Sequence, residues 1–147
     1  MAAVRRADVT WTGDLVSGKG KVGASSSGVF RDLDVSWARR SEADANGVTS
    51  PEELLAAAHA ACFAMAFSAG LARAGTPPTQ LQVSAEVTFD RVGDGFKVTR
   101  SELTVRGEVP NVDQATFDQA AQAAKDGCPI SGALKGNVDL SVKATLA

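Results

Sequence analysis

The sequence predicts an α+β fold in which a mainly antiparallel sheet packs on one long helix. Segments with alternating apolar residues, typical of strands, occur before residue 40 and again after residue 80. One apolar segment, over residues 51–71, has the length and flanking residues of a helix. A Gly93-Asp94-Gly95 turn predicts a hairpin, and the order of elements is not the strand–helix alternation of a parallel sheet.

The first part of the chain is predicted to form three strands. They cover residues 7–16, 21–24 and 29–37, and turns rich in Gly and Ser separate them at 18–20 and 25–28. Residues 39–48 are polar and mixed, which predicts a loop of the kind that surrounds a site.

The long helix has a clear predicted start. Ser50 suits the N-cap, Pro51 suits the first helical position, and Glu53 completes a capping box. The helix is apolar on nearly all sides, so it should be buried on most faces. After it we expect strands over 81–90 and 96–109 with a bulge between Val98 and Leu103, a helix over 113–125, a short helix over 128–134 and a last strand over 137–146.

Size and composition exclude several classes of protein. The chain has 147 residues, 15 of them basic and 17 acidic, so we expect one domain over residues 1–147. The sequence contains no basic block of the kind that would indicate nucleic-acid binding. We find no secretory signal, and we expect no apolar run of membrane length because His59 and Ser68 interrupt the longest one. The prediction is a cytoplasmic protein whose thiols stay reduced unless they take part in redox chemistry.

The two cysteines are the residues most indicative of function. Cys62 lies within the long apolar helix, and Cys128 precedes Pro129 at or near the N-cap of the short helix. Two thiols are too few for a disulfide scaffold but enough for a redox couple, which predicts a thiol-dependent peroxidase. The alternative is that both are buried, inert side chains.

A reactive thiolate in an apolar helix needs a cation or hydrogen-bond donors beside it, and the segment before the long helix offers Arg39 and Arg40. Glu52 is available to pair with an arginine, although an acid at a helix N-terminus is already favourable there. Glu52 precedes Cys62 by ten residues, about 15 Å along a helix axis. The carboxylate would therefore have to reach the cysteine of another chain, which predicts a dimer.

His59 lies one helical turn before Cys62 and permits a metal hypothesis. His59, Cys62 and Cys128 would be the zinc ligands, but three scattered ligands without a C-x-x-C pair are a weak signal. A neutral core histidine that is hydrogen-bonded to backbone is the favoured interpretation.

Three segments carry a resemblance to a known family. They are SPEELLAAAHAACF around Cys62, AKDGCPIS around Cys128, and the opening WTGDLVSGKGKV. With them the chain resembles the OsmC/Ohr family of hydroperoxide-reducing proteins, and its OsmC branch in particular, over almost its whole length. The resemblance implies an intertwined homodimer in which curved sheets pack on long central helices, with active sites shared at the interface.

The resemblance also implies roles for four residues. Cys62 is the peroxidatic cysteine, and Cys128 is the resolving cysteine that closes a Cys62–Cys128 disulfide. Arg40, which matches the arginine that ends the third strand in the OsmC branch, and Glu52 support the thiolate, with Arg39 as the other candidate for the arginine. Organic hydroperoxides, and less well hydrogen peroxide, would be reduced to alcohols and an external dithiol would regenerate the thiols; no metal or organic cofactor is implied. A non-catalytic dimer that binds small apolar ligands is the alternative.

Overall fold

A computed structural model describes all 147 residues, which divide into two compact units, residues 1–51 and residues 52–147. The first unit contains β1 (Ala7–Thr12), β2 (Lys19–Ser25), β3 (Leu33–Val35) and α1 (Trp37–Ser41). The second contains α2 (Pro51–Arg73, which begins at the boundary), β4 (Gln80–Val92), β5 (Gly95–Glu108), α3 (Gln114–Gly127), α4 (Pro129–Leu134) and β6 (Asp139–Leu146). The prediction of one domain over 1–147 stays a prediction.

The first unit is a three-stranded antiparallel sheet in the order β1-β2-β3. The turn after β1 lies a few residues earlier than predicted, because the Asp14 carboxylate accepts hydrogen bonds from the Ser17 N–H (2.7 Å) and hydroxyl (2.9 Å). Lys19 therefore already belongs to β2 and pairs with Thr12.

The third strand is shorter than predicted, and a helix follows it. Ser36 accepts a hydrogen bond from the Arg39 N–H (3.3 Å) and so caps α1. The expectations of a strand through Trp37 and of a loop starting at Arg39 are therefore wrong. Arg39 and Arg40 both lie on α1, so Arg40 does not end a strand.

The second unit contains a long antiparallel hairpin, as predicted. A two-residue turn joins β4 and β5, and Gly93 in it has a φ of 61°, a left-handed conformation that glycine adopts without strain. Phe89 pairs with Val98 whereas Thr88 pairs with Arg100, so Thr99 is the extra residue of a bulge. This confirms the bulge predicted between Val98 and Leu103.

The last strand pairs in a direction that the sequence did not indicate. β6 lies beside β5 and parallel to it, from Asp139 opposite Arg100 to Leu146 opposite Gly107. The chain returns to the same end of the sheet through α3 and α4, and a helical crossover of this kind permits parallel pairing. The predicted α+β class with mainly antiparallel sheets and a long helix is confirmed, with this one parallel pair added.

The core of the second unit lies between the sheet and the apolar faces of α2 and α3. Residues 101, 103, 105 and 107 of β5 alternate inward, as the period of a strand requires. The buried apolar cluster includes Phe63, Phe67, Leu71, Leu103, Val105, Phe117 and Ala121. Gly107 lies against the Phe117 ring, and a Cβ built there would stand 2.7 Å from Phe117 Cε2.

The helix α2 is buried on one side only. Its buried residues recur at intervals of about one turn, whereas Met65 on another side is 71% exposed. By length and composition this 23-residue helix could span a membrane. Of its 18-residue apolar stretch, 22% is buried within the chain. The expectation of no apolar segment of membrane length is therefore wrong by these criteria. Burial of α2 on most faces is not reached within one chain and stays a prediction for the dimer. The core helix of a water-soluble protein meets the same criterion, so the helix is weak grounds for a membrane span.

Candidate active site

Both cysteines belong to the second unit and interact there. Cys62 is half-buried on α2, and Cys128 is 1% exposed at the N-cap of α4, directly before Pro129 as predicted. Both are free thiols, and they interact closely enough for each to affect the pKa of the other. The fold therefore brings together two thiols that are distant in sequence.

The two thiols differ in acidity. Burial raises the pKa of Cys62, and its hydrogen bond to Cys128 raises that pKa further. Burial also disfavours the Cys128 thiolate, but hydrogen bonds from Cys62 and from donors of Ser131 and Ile130 outweigh it and lower the pKa of Cys128. Within this unit the surroundings of Cys128 therefore favour its thiolate, whereas those of Cys62 favour the protonated thiol.

A buried polar chain runs beside the thiols. His59 Nδ1 lies 2.6 Å from the Ser101 hydroxyl oxygen, and His59 Nε2 lies 2.8 Å from the Ser131 hydroxyl oxygen. His59 and Ser101 are fully buried, and Ser131 is 2% exposed. Burial lowers the pKa of His59, so the imidazole is neutral at pH 7. The expected neutral core histidine is present, but its partners are serine hydroxyls rather than backbone groups.

Sequence reasoning did not identify Ser101 and Ser131 as members of the site. Ser131 lies three residues after Cys128, one turn along α4, within the GCPIS segment that carried the resemblance. Ser101 is the one polar residue among the inward-facing positions 101–107 of β5, where Leu103 and Val105 are its apolar neighbours. A serine on the buried face of a strand indicates a buried polar partner, because an unpaired hydroxyl there is costly.

The other two predicted site residues lie on different elements or turns from the thiols, Glu52 in the first turn of α2 and Arg40 on α1. Glu52 is buried in the first turn of α2, the same helix that carries Cys62, so their ten-residue separation is about 15 Å along the axis. One straight helix does not bring this carboxylate to its own Cys62. Arg40 lies on α1 in the first unit, whereas Cys62 lies in the second.

The zinc hypothesis gains no support from the arrangement around His59. No three His, Cys, Asp or Glu side chains are grouped as a metal site. Both ring nitrogens of His59 already have serine partners, which occupies the atoms that would bind a metal.

Comparison with known proteins identifies the family. A family model described as OsmC-like protein matches residues 44–143, which is more than half of the chain. The chain belongs to the OsmC-like family. The matched range contains Cys62 and Cys128 together with His59, Ser101 and Ser131, so the whole polar site lies inside the OsmC-like region.

Individual OsmC-like relatives match over nearly the full length of the chain. Peroxiredoxin OsmC of Escherichia coli strain K12 is 41% identical over 140 residues, covering 95% of this chain and 96% of the relative. An organic hydroperoxide resistance protein of Xanthomonas axonopodis pv. citri is 29% identical over 136 residues, covering 91% and 94%. The crystal structure of the organic hydroperoxide resistance protein OhrB of Bacillus subtilis matches with a TM-score of 0.71 and 27% identity, covering 95% and 98%. The resemblance to the OsmC/Ohr family is thereby confirmed.

Proposed function

We propose that this chain is a peroxiredoxin-like enzyme that reduces organic hydroperoxides, and less well hydrogen peroxide, to alcohols and water. The 41% identity with a peroxiredoxin OsmC over nearly the whole chain supports the class of reaction. The observation that carries the chemistry is the interaction of two free thiols, Cys62 and Cys128, in one buried site. A pair of thiols in contact can be oxidised by a peroxide and then close a disulfide.

In the first step the Cys62 thiolate attacks the distal oxygen of the hydroperoxide. The O–O bond breaks, the alkoxide takes up a proton and leaves as the alcohol, and Cys62 becomes a sulfenic acid. Cys62 suits this role because it is the more exposed of the two thiols and a peroxide can reach it.

In the second step Cys128 attacks the Cys62 sulfenic acid. The new S–S bond replaces the S–O bond, and the leaving hydroxide takes a proton to become water. The lowered pKa of Cys128 suits this role because the thiolate is the attacking species. An external dithiol then reduces the Cys62–Cys128 disulfide and regenerates both thiols.

Arg40 and Glu52 complete the proposed site. Burial raises the pKa of Cys62, so a cation has to stabilise its thiolate, and an arginine keeps its charge in such surroundings. Glu52 would orient that arginine through a forked ion pair. Of the two candidate arginines, Arg39 pairs with the Glu42 carboxylate at 3.0 Å on its own helix, and Arg40 is the one that the resemblance to the OsmC branch assigns to the site.

The working form is a homodimer with shared sites. An apolar helix with Met65 and several alanines exposed calls for a partner surface, and the separation of Glu52 from Cys62 along α2 calls for a second chain. We treat residues 1–147 as one OsmC-like domain of this dimer, since the match with Peroxiredoxin OsmC covers 95% of the chain and therefore includes most of both units. Its place is the cytoplasm, where its thiols can be kept reduced.

The decisive test of the activity is a thiol count with peptide mapping. Reduced protein is treated with one equivalent of cumene hydroperoxide, and free thiols and cross-linked peptides are measured before and after. We expect the loss of two thiols per chain, a linked Cys62–Cys128 peptide and one equivalent of cumyl alcohol. Two thiols that remain free after excess peroxide would refute the enzyme and favour the apolar-ligand binder.

Complementation between inactive chains tests the shared site. Glu52→Gln and Cys62→Ser chains are produced separately and together, with different affinity tags so that the mixed dimer can be isolated. If Glu52 serves the cysteine of the other chain, the mixed dimer contains one intact site and regains up to half of the wild-type activity. No recovery in a verified mixed dimer would mean that Glu52 does not serve the cysteine of the other chain, which would refute the shared site.

A further inference from the structure

The buried chain Ser101–His59–Ser131 ends beside Cys128, and no step so far uses it. Its three members come from three elements, β5, α2 and α4, and the partners of His59 are 42 and 72 positions away in the sequence. Each is at most 2% exposed, in a core that is otherwise largely apolar. Polar groups placed so deeply are costly unless they are fully paired, and apolar side chains of similar size could fill the same space. The chain therefore calls for a role beyond packing.

The hydrogen bonds of this chain have a direction. A neutral imidazole carries one N–H, and each serine hydroxyl carries one proton, so the two bonds have to run the same way. If the Ser101 hydroxyl donates to Nδ1, then Nε2–H donates to Ser131 and the Ser131 proton is free for another acceptor. If the direction is reversed, the Ser131 hydroxyl donates its proton to Nε2 and has no other proton to donate to a further acceptor.

The surroundings of Cys128 favour the first direction. Ser131 is the third residue of α4, one turn after the N-cap Cys128, so both side chains belong to the same end of this helix. In agreement with this position, the Ser131 hydroxyl and N–H are among the groups that lower the pKa of Cys128, as a hydroxyl does when it donates to the sulfur. Burial lowers the pKa of His59, so the ring is a poor base and serves as a neutral donor instead. The first direction is thus a series of donors from Ser101 through His59 and Ser131 to the sulfur.

We propose that His59 and Ser101 are positioning residues that hold the Ser131 hydroxyl toward Cys128, so that Cys128 is ready to attack the Cys62 sulfenic acid. This inference rests on the proposed function and deepens its second step. Cys128 gives up its proton, its sulfur forms the S–S bond as the S–O bond of Cys62 breaks, and the departing hydroxide becomes water. His59 stays neutral throughout, and Ser131 is the one member of the chain Ser101–His59–Ser131 that acts directly on the reacting sulfur.

The step that this chain affects can be measured separately from the first step. After a single addition of cumene hydroperoxide, rapid quenching with mass spectrometry follows sulfenic acid formation on Cys62 and disulfide formation with Cys128. In Ser131→Ala we expect disulfide formation to slow by about tenfold. This is the smallest effect usually seen when a hydrogen bond to a charged group is lost. The first step should change by less than twofold. Ser141→Ala, at an exposed position of β6, is the matched control and should change neither step.

Two histidine variants separate positioning from packing. The amide of His59→Gln can still accept from Ser101 and donate to Ser131, so disulfide formation should keep at least half of the wild-type rate. His59→Leu has neither group and should be as slow as Ser131→Ala. Because His59→Leu carries a risk of misfolding, Ser101→Ala provides a milder loss at the far end of the chain, with an expected slowing of two- to fivefold.

The direction of the hydrogen bonds has its own measurement. His59 is the only histidine in the protein, so its ring nitrogens can be assigned directly in long-range ¹H–¹⁵N NMR spectra of the reduced enzyme. We expect a neutral ring with the proton on Nε2 at pH 7, and a proton on Nδ1 would overturn the donor chain. Wild-type protein that forms no disulfide refutes the proposed function itself. Normal wild-type kinetics with an unchanged second step in Ser131→Ala and His59→Leu, or equal slowing of both steps, refutes this inference alone.

Discussion

Gly107 on β5 and Phe117 on α3 are in such close contact that no side chain fits between them. A Cβ at position 107 would stand 2.7 Å from Phe117 Cε2 and 3.1 Å from Leu81 Cδ2, both closer than non-bonded carbon atoms normally approach. We predict that Gly107→Ala destabilises the protein by about 1–3 kcal/mol through overpacking. Urea unfolding of the reduced protein measures this.

Two further variants show whether the destabilisation by Gly107→Ala arises from contact with the Phe117 ring. Gly95→Ala on the same strand meets nothing within 4 Å and should change the free energy of unfolding by less than about 0.5 kcal/mol. Phe117→Leu removes the atoms that clash, so the double variant should cost less than the sum of the two single variants. Strict additivity would mean that the glycine is needed for another reason.

The two cysteines should respond differently to substitution. We predict that Cys62→Ser abolishes turnover, whereas Cys128→Ser reduces one equivalent of peroxide and then stalls or overoxidises. Trapping with dimedone should label Cys62 in the Cys128→Ser variant and nothing in the Cys62→Ser variant. A dimedone adduct on Cys128 in the Cys62→Ser variant would reverse the two roles, an outcome worth testing because Cys128 has the lower pKa of the two.

The neighbouring arginines of α1 form a natural matched pair. We predict that Arg40→Ala slows the first oxidation of Cys62 at least tenfold, because an uncompensated buried thiolate loses its cation. Arg39→Ala removes a partly exposed ion pair with Glu42 and should change that rate by less than twofold. The rate is measured by rapid quenching at limiting peroxide. The opposite order of effects would assign the role to Arg39.

Burial of His59 makes part of the stability depend on pH. Its pKa in the folded protein lies below the ordinary value of 6.5, so below that pH the unfolded chain binds the extra proton first. Stability from the neutral ring is therefore fully present above about pH 6.5 and is lost as the pH falls toward the folded pKa. The slope is at most about 1.4 kcal/mol per pH unit for one proton.

The comparison with His59→Gln isolates this contribution. Glutamine does not titrate, so the wild type should lose stability relative to the variant as the pH is lowered from 7.5 to 5. The quantity compared is the unfolding free energy of the two proteins at each pH. Urea unfolding in the presence of a reductant gives both curves. Curves that stay parallel over this range would show that His59 keeps an unperturbed pKa.

Local signals in the sequence were enough for the elements that carry the cysteines. Pro51 begins α2, Asp113 caps α3 with a hydrogen bond of 2.7 Å from the Thr116 N–H, and Pro129 follows Cys128 at the start of α4. Each signal is a residue whose own geometry or side chain favours one end of a helix. The start of α1 was missed because the weak cap at Ser36 follows a segment with a strand-like pattern.

Relationships over long distances in sequence were less predictable. The sequence of residues 139–146 does not indicate that they pair parallel with β5, because the alternation of apolar residues is the same in parallel and antiparallel strands. The partners of His59 lie 42 and 72 residues away, and only the finished packing of α2, β5 and α4 reveals them. The resemblance supplied roles for Arg40 and Glu52 that remain predictions, because both depend on contacts beyond a single compact unit.

The positions of the two cysteines also tie the redox state to resistance against unfolding. A bond between α2 and the start of α4 would enclose both β4 and β5 and all of α3 in a loop of about 67 residues. Closing a loop of that length removes enough conformational freedom from the unfolded chain to add roughly 4 kcal/mol. The oxidised enzyme, waiting for its reductant, would then be the form that best survives heat and proteases. The melting temperature would report, without a substrate assay, how much of the enzyme awaits reduction.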